Sequence, residues 1–164
     1  MVDDYRNTRY CPILSNMKGK KQKIVDAVKV EHPKAVDMHT YISRNDEKYK
    51  MQFVEAYNCK CAYCGVSMDL VPKALFEVDH FLYRKSQRFE SKKHAGYIDN
   101  LVLACHNCNH RKSSFDIADV DYDLLHPDGE KIKDTFYRDV KDNDEIYSAI
   151  GKIIDILSKK RNMM

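Results

Sequence analysis

The chain has 164 residues, 43% of them hydrophobic, which is the length of one domain with extensions and enough apolar material for a modest core. No apolar run nears the roughly 20 residues that span a bilayer. The N-terminal MVDDYRNTRY has no signal-peptide core, so the expected setting is the cytoplasm, with no membrane partner. A net charge of +3 does not by itself argue for a polyanion partner, but the charge is unevenly distributed. Five cations (Arg84, Lys85, Arg88, Lys92, Lys93) and one acid lie between Arg84 and Lys93. Six acids and no Lys or Arg lie between Asp116 and Glu130. Such segregation fits a face for a polyanion, and it equally fits ordinary solvated loops.

In chain order, residues 1–16 show no periodicity. Asn16 to Lys34, with six lysines against two acids, reads as a basic helix or arm that Pro33 would end. Asp37 to Asn58 reads as helical, with Met38, Ile42, Tyr49, Phe53 and Tyr57 near helical spacing. The run Leu75–Phe81 (LFEVDHF) has strand composition, with Phe76, Val78 and His80 alternating against Glu77, Asp79 and Phe81. Arg84 to Tyr97 reads as a basic loop, Leu101–Ala104 as a second short strand, and Asn107 to Ser114 as the start of a helix. Phe115–Glu130 reads as acidic and irregular, with a turn at HPDG. Asp144 to Arg161 is amphipathic, with Ile146, Ile150, Ile153, Ile154 and Leu157 on one face that would pack on the domain or meet a partner.

Two CxxC pairs, Cys61/Cys64 and Cys105/Cys108, stand 40 residues apart. In a reducing compartment that spacing indicates metal rather than disulfides, since each pair gives two thiolates from one tight turn and two pairs close a tetrahedral structural zinc site. Gly65 eases the first turn. Cys59 could compete, but only Cys61 has the required spacing to Cys64. Cys11 reads as a small buried apolar side chain. His106, inside the second pair, reads as solvent- or phosphate-facing. Asp79 and His80 place a carboxylate suited to a hard cation next to an imidazole able to take a proton from water. Neighbours on a regular strand point to opposite faces, so both serve one site only if the strand ends or twists there. Taken alone, such a pair is a weak signal, and His80 could be a core histidine just as Asn109 could be a helix cap.

The whole order is specific: Cys61-x-x-Cys64, Asp79-His80, Asn100, then Cys105-x-x-Cys108-Asn109-x-x-Lys112. Over about residues 59 to 115 it resembles the HNH endonuclease family, with His80, Asn100 and Asn109 at the three name positions, an HNN variant. The resemblance implies an α+β fold: a ββα-metal core with a four-cysteine zinc knuckle, flanked by N- and C-terminal helices. Residues 1–58 would be a basic, helical N-terminal extension, 59–115 the nuclease core, and 116–164 a C-terminal extension. It further implies that Asp79 and Asn109 hold one Mg²⁺ or Mn²⁺ and that His80 is the general base. Asn100 would fix the loop that orients His80. Lys112, Arg111 and His110 would contact backbone phosphates, with the footprint extended by the basic loop (Arg84, Lys85) and the lysines at 18–34. The implied partner is nucleic acid, double-stranded DNA before RNA, with little sequence readout. Relatives of this kind often act as effectors in bacterial or phage defence systems, so an associated ATPase and a homodimer are conceivable partners by analogy. The competing readings are a zinc-stabilised nucleic-acid-binding module without catalysis and a scaffold with a vestigial site. Neither has reason to combine Asp79, His80 and Asn109. His32, His39, His94 and His126 belong to no constellation, and the tyrosines read as packing residues.

Overall fold

The structure is a computed structural model that describes residues 3–4, 14–44, 47–114, 117, 119–132 and 137–138. In chain order it contains β1 (Asp3–Asp4), α1 (Met17–Glu31), α2 (Met38–Ser43), α3 (Glu47–Ala56), β2 (Phe76–His80), α4 (Lys92–Ala95), β3 (Leu101–Cys105), α5 (His106–Lys112), α6 (Asp119–Leu125) and β4 (Tyr137–Arg138). Short 3₁₀ turns at Lys73–Leu75 and Ile98–Asn100 lead into β2 and β3.

The lysine-rich segment is a packed helix rather than an arm. Asn16 caps α1, its side chain accepting from the Gly19 N–H at 3.3 Å. Met17, Lys21, Ile24, Val25 and Val28 then fall on one buried face at helical spacing. Pro33 disfavours the helical conformation at His32, and α1 stops at Glu31. Lys21 points inward: its ammonium donates to the Leu101 carbonyl at 2.6 Å and pairs with the Asp128 carboxylate. Tyr57 donates to the same carboxylate at 2.9 Å. The exposed lysines of this segment, Lys18, Lys23, Lys29 and Lys34, are the ones left for solvent or a polyanion.

The expected single helical run over 37–58 is two helices. Asp37 caps α2 through Thr40 N–H at 3.2 Å, and Arg44 is already extended at φ −65°, ψ 155°. The sequence at the break, Ser43-Arg44-Asn45-Asp46, is rich in residues that favour caps over helix interiors. Met38, Ile42, Tyr49, Phe53 and Tyr57 are all buried, so the apolar spacing identifies the packed face while missing the break. Asn58 and Cys59 take positive φ (53° and 57°), which turns the chain out of α3 and into the first CxxC segment.

β2 and β3 are antiparallel, with Phe76 opposite Cys105, Val78 opposite Leu103 and His80 opposite Leu101. All five β3 residues are buried because the hairpin is covered twice: α5 packs on both strands, α2 packs on β2, and α1 packs on the turn before β3. This is the α+β arrangement of strand, strand and helix, with the four-cysteine cluster at its base. One hydrophobic cluster extends from Leu14 through the hairpin to Ile132. The acidic segment after 115, irregular by composition, contains α6. Tyr122 and the following His126 pack edge-on against Phe81, at 5.5 and 4.5 Å between ring centroids, and this tertiary contact overrides the polar composition. The HPDG turn is present, closed by Gly129 N–H to the His126 carbonyl at 2.9 Å. The helix expected over 144–161 lies outside the described residues, as does Cys11.

Candidate active site and metal centre

The two CxxC pairs meet. The Sγ atoms of Cys61, Cys64, Cys105 and Cys108 all lie within 4.8 Å of one another, with Cys64 and Cys105 at 3.9 Å. A tetrahedron with Zn–S of about 2.3 Å has S–S edges of about 3.8 Å, so four thiolates in this arrangement could hold one such ion. Cys59 is outside the cluster. The first turn is shaped by backbone bonds from Cys61 N–H to Val66 O and from Gly65 N–H to Cys61 O, both 2.9 Å, with Gly65 at φ 72°. Ala62 N–H donates to Leu103 O at 2.7 Å, which ties this turn to β3.

The knuckle reaches the next site through one side chain. Tyr63, buried between the first two cysteines, donates its hydroxyl to Asp79 Oδ2 at 2.6 Å. Lys112 Nζ lies 3.3 Å from the other oxygen, Oδ1. Burial pushes the Asp79 carboxyl up to about 6, against the opposing pull of Lys112 and Tyr63. Lys112, expected on phosphate, is instead 7% exposed and donates to the His80 and Phe81 carbonyls at 2.9 and 3.3 Å, because the last turn of α5 lies against the end of β2. Its ammonium is committed to the strand end and to Asp79.

Asn109, one turn earlier on α5, donates through Nδ2 to Glu77 Oε2. A carboxylate only accepts, so this contact fixes the amide with its nitrogen toward Glu77 and its oxygen away from it. Glu77 shares a face of β2 with Asp79 and takes a second bond from His106 Nδ1 at 2.7 Å. Burial alone would raise the Glu77 carboxyl, but the bonds from His106 and Asn109 outweigh it and hold the group below its usual value. The spacing pattern gives Glu77 no role, and the face that alternates with Val78 is the signal that could have found it.

His80 ends β2, so the strand does end where the pair of neighbours requires. Its Nε2 is buried without a hydrogen-bond partner. Burial, reinforced by the nearby His39, Arg84 and Lys112, lowers the imidazole to about 3 and keeps it neutral at pH 7. Its ring packs against His39 from α2, with centroids 4.2 Å apart at 31°. His39 has no role in the sequence pattern; 41 positions separate the two histidines, and only the packing of α2 on β2 joins them. Asn100 is buried and closes the loop after His80: its Oδ1 accepts from Leu82 N–H at 2.8 Å, and its Nδ2 donates to Leu82 O and Ala95 O at 3.0 and 2.8 Å. Arg84 and Lys85 on that loop, and His110 and Arg111 on α5, are exposed.

Sequence comparison agrees with this geometry. The family model described as HNH endonuclease matches residues 61–115, the stretch that holds all four cysteines, Asp79, His80, Asn100 and Asn109. This segment belongs to the HNH endonuclease family. The chain is also similar to the CRISPR-associated endonuclease Cas9 of Corynebacterium diphtheriae, 33% identical over 70 residues. Those residues are 43% of this chain and 6% of that protein, so the chain spans a small part of the relative's length. No solved structure matched the chain. No helix among the described residues is long and apolar enough to cross a membrane.

Proposed function

We propose that the chain is a metal-dependent endonuclease that hydrolyses phosphodiester bonds in DNA. The observation that carries this reading is the pairing, at one strand end beside the last turn of α5, of a buried carboxylate raised to about 6 with an imidazole that is neutral at pH 7. Shifted titratable groups gathered beside a basic surface mark functional sites.

Asp79 and the Asn109 oxygen would hold one divalent cation, Mg²⁺ or Mn²⁺. When bound, that cation neutralises the scissile phosphate and the developing charge on the leaving oxygen. Glu77 sets the Asn109 amide for this. Tyr63 occupies one Asp79 oxygen and leaves the other for the cation, with Lys112 as its counter-charge until then. His80 takes the proton from the attacking water. Asn100 holds the loop whose first residues follow His80. Arg84, Lys85, His110 and Arg111, all exposed, contact backbone phosphates and supply affinity without sequence readout. The four thiolates hold structural zinc at the base of the hairpin, so soft and hard donors sort two metals into two places.

The test is nicking of supercoiled plasmid with added Mg²⁺ or Mn²⁺, comparing the intact protein with His80→Ala and an EDTA control. The intact protein should nick, and the variant should lose about 10²- to 10⁴-fold in rate, the usual contribution of a general base. Equal nicking by both proteins would overturn the assignment of His80. A gel shift without nicking by either would favour the binding-module reading.

A further inference from the structure

His80 is a base only if its ring is aimed, and its own nitrogen gives it no anchor, since Nε2 is buried and unpartnered. What lies against the ring face is His39, centroid to centroid 4.2 Å at 31°. His39 is itself fixed from several sides. Its Nε2 lies 3.1 Å from the Val78 carbonyl, an atom that only accepts, so Nε2 carries the proton and donates. Its Nδ1 faces the Ser43 hydroxyl at 3.3 Å, while that hydroxyl donates to the His39 carbonyl at 2.6 Å. The start of α2 is pinned in turn by Met38 and His39 N–H groups on the Gly96 carbonyl, at 2.8 and 3.3 Å. Gly96 is required there, because a Cβ would collide with the Asp37 carboxylate that caps α2.

We propose that His39 is a positioning residue for the nuclease reaction: its ring, tethered to β2 through Val78, is the wall that holds the His80 imidazole in its productive orientation. His39 cannot be the base itself in this arrangement, since its Nε2 proton is engaged on a carbonyl and its Nδ1 faces Ser43. Val78 precedes His80 by two residues on the same strand, so this bond adds to the packing of the ring against the base, and the ring itself is the part the reaction needs. The residue comes from α2, outside the 61–115 match, and makes the N-terminal helices part of the catalytic unit. The proposal rests on the endonuclease reading above.

The experiment uses the full, zinc-loaded chain and two variants that separate ring from tether. His39→Phe keeps a flat ring and loses the donor. His39→Gln keeps a donor and loses the ring. Zinc content and melting temperature establish that each variant is folded. Plasmid cleavage under saturating Mn²⁺ should show kcat within about threefold of the intact protein for Phe, and about ten- to a hundredfold lower for Gln with KM unchanged, the scale of a misplaced catalytic group. In parallel, the Cε1–H resonance of His80 in ¹³C-histidine-labelled protein, assigned by its loss in His80→Ala, should stay single and sharp in His39→Phe and broaden or split in His39→Gln. The reverse pattern, or a His80 resonance unmoved in both variants, overturns the proposal. If the intact protein does not cleave, the endonuclease reading falls, and the His80 resonance alone still decides whether His39 orients it.

Discussion

Asp79 and Lys112 form a buried pair whose members are far from equivalent. Burial already raises the Asp79 carboxyl from 3.8 to about 6, so the folded protein holds that proton more tightly than the unfolded chain. Stability therefore falls as pH rises through the window between those values, and Lys112 limits the loss. Lys112→Met leaves the carboxylate buried without its counter-charge, and it should destabilise the protein by about 3–5 kcal/mol in urea unfolding near neutral pH, the cost of breaking a buried pair from one side. Tyr63→Phe removes one bond to the same carboxylate and should cost about 1.5–3 kcal/mol while leaving bound zinc at one per chain. The residue types of the site are legible in the sequence because metal ligands and a base have few alternatives at such spacing. The placement of Lys112 is not, because a lysine on a short basic helix looks solvated until the register of α5 on the end of β2 is known. Glu77 escapes notice for the same reason: its task, orienting Asn109, exists only across two elements.

The knuckle, the hairpin and α5 depend on one another. Structural zinc binding, about 10–16 kcal/mol in small modules, is comparable with the whole stability of an ordinary domain, about 5–15 kcal/mol. Prolonged treatment with a strong chelator, or Cys61→Ser, should therefore open the β2–β3 hairpin rather than merely soften it. Hydrogen exchange would report this as lost protection of the Ala62 and Phe81 amides, which bond to Leu103 O at 2.7 Å and Asn100 O at 2.8 Å. Retained protection would mean that the apolar contacts suffice. At this scale β2 and β3 can be read from the chain by their apolar, strand-like composition, and α1 and α5 in outline, whereas β1 and β4 carry no such signal. The division into α2 and α3 cannot, because the same apolar stripe continues across the break. Nor can α6, whose acids mask a helix stabilised by Tyr122 and His126 against Phe81.

For the molecule as a whole, acid is the expected weakness. His126 is buried and uses both ring nitrogens: Nε2 contacts the Asp99 carbonyl at 2.9 Å, and Nδ1 accepts from the Asp128 N–H at 3.2 Å. Protonating Nδ1 would abolish the second bond, and burial first, against the pull of Asp128, holds the imidazole below its usual 6.5. The folded pKa is depressed, so this contribution to stability is present above about 6.5 and is lost as pH falls below it. The urea midpoint should drop between about pH 7.5 and about pH 5.5, and the drop should shrink in His126→Gln. His39 and His80, lowered by burial as well, act in the same direction. None of this is visible in the sequence, where His126 is part of a turn signal and nothing more.

The ammonium of Lys21 joins α1, the first residue of β3 and the turn after α6 at a single buried point. Its consequence concerns inheritance. A recombination event that moved only residues 61–115 into a new host protein would deliver the four clustered cysteines and every proposed ligand, yet strand the Leu101 carbonyl without its Lys21 donor and His80 without the His39 ring. Such a transplant would take only where the recipient already offered a helix with a cation and a flat ring at matching heights, so the unit that can be shuffled between proteins is larger than the motif by which it is recognised.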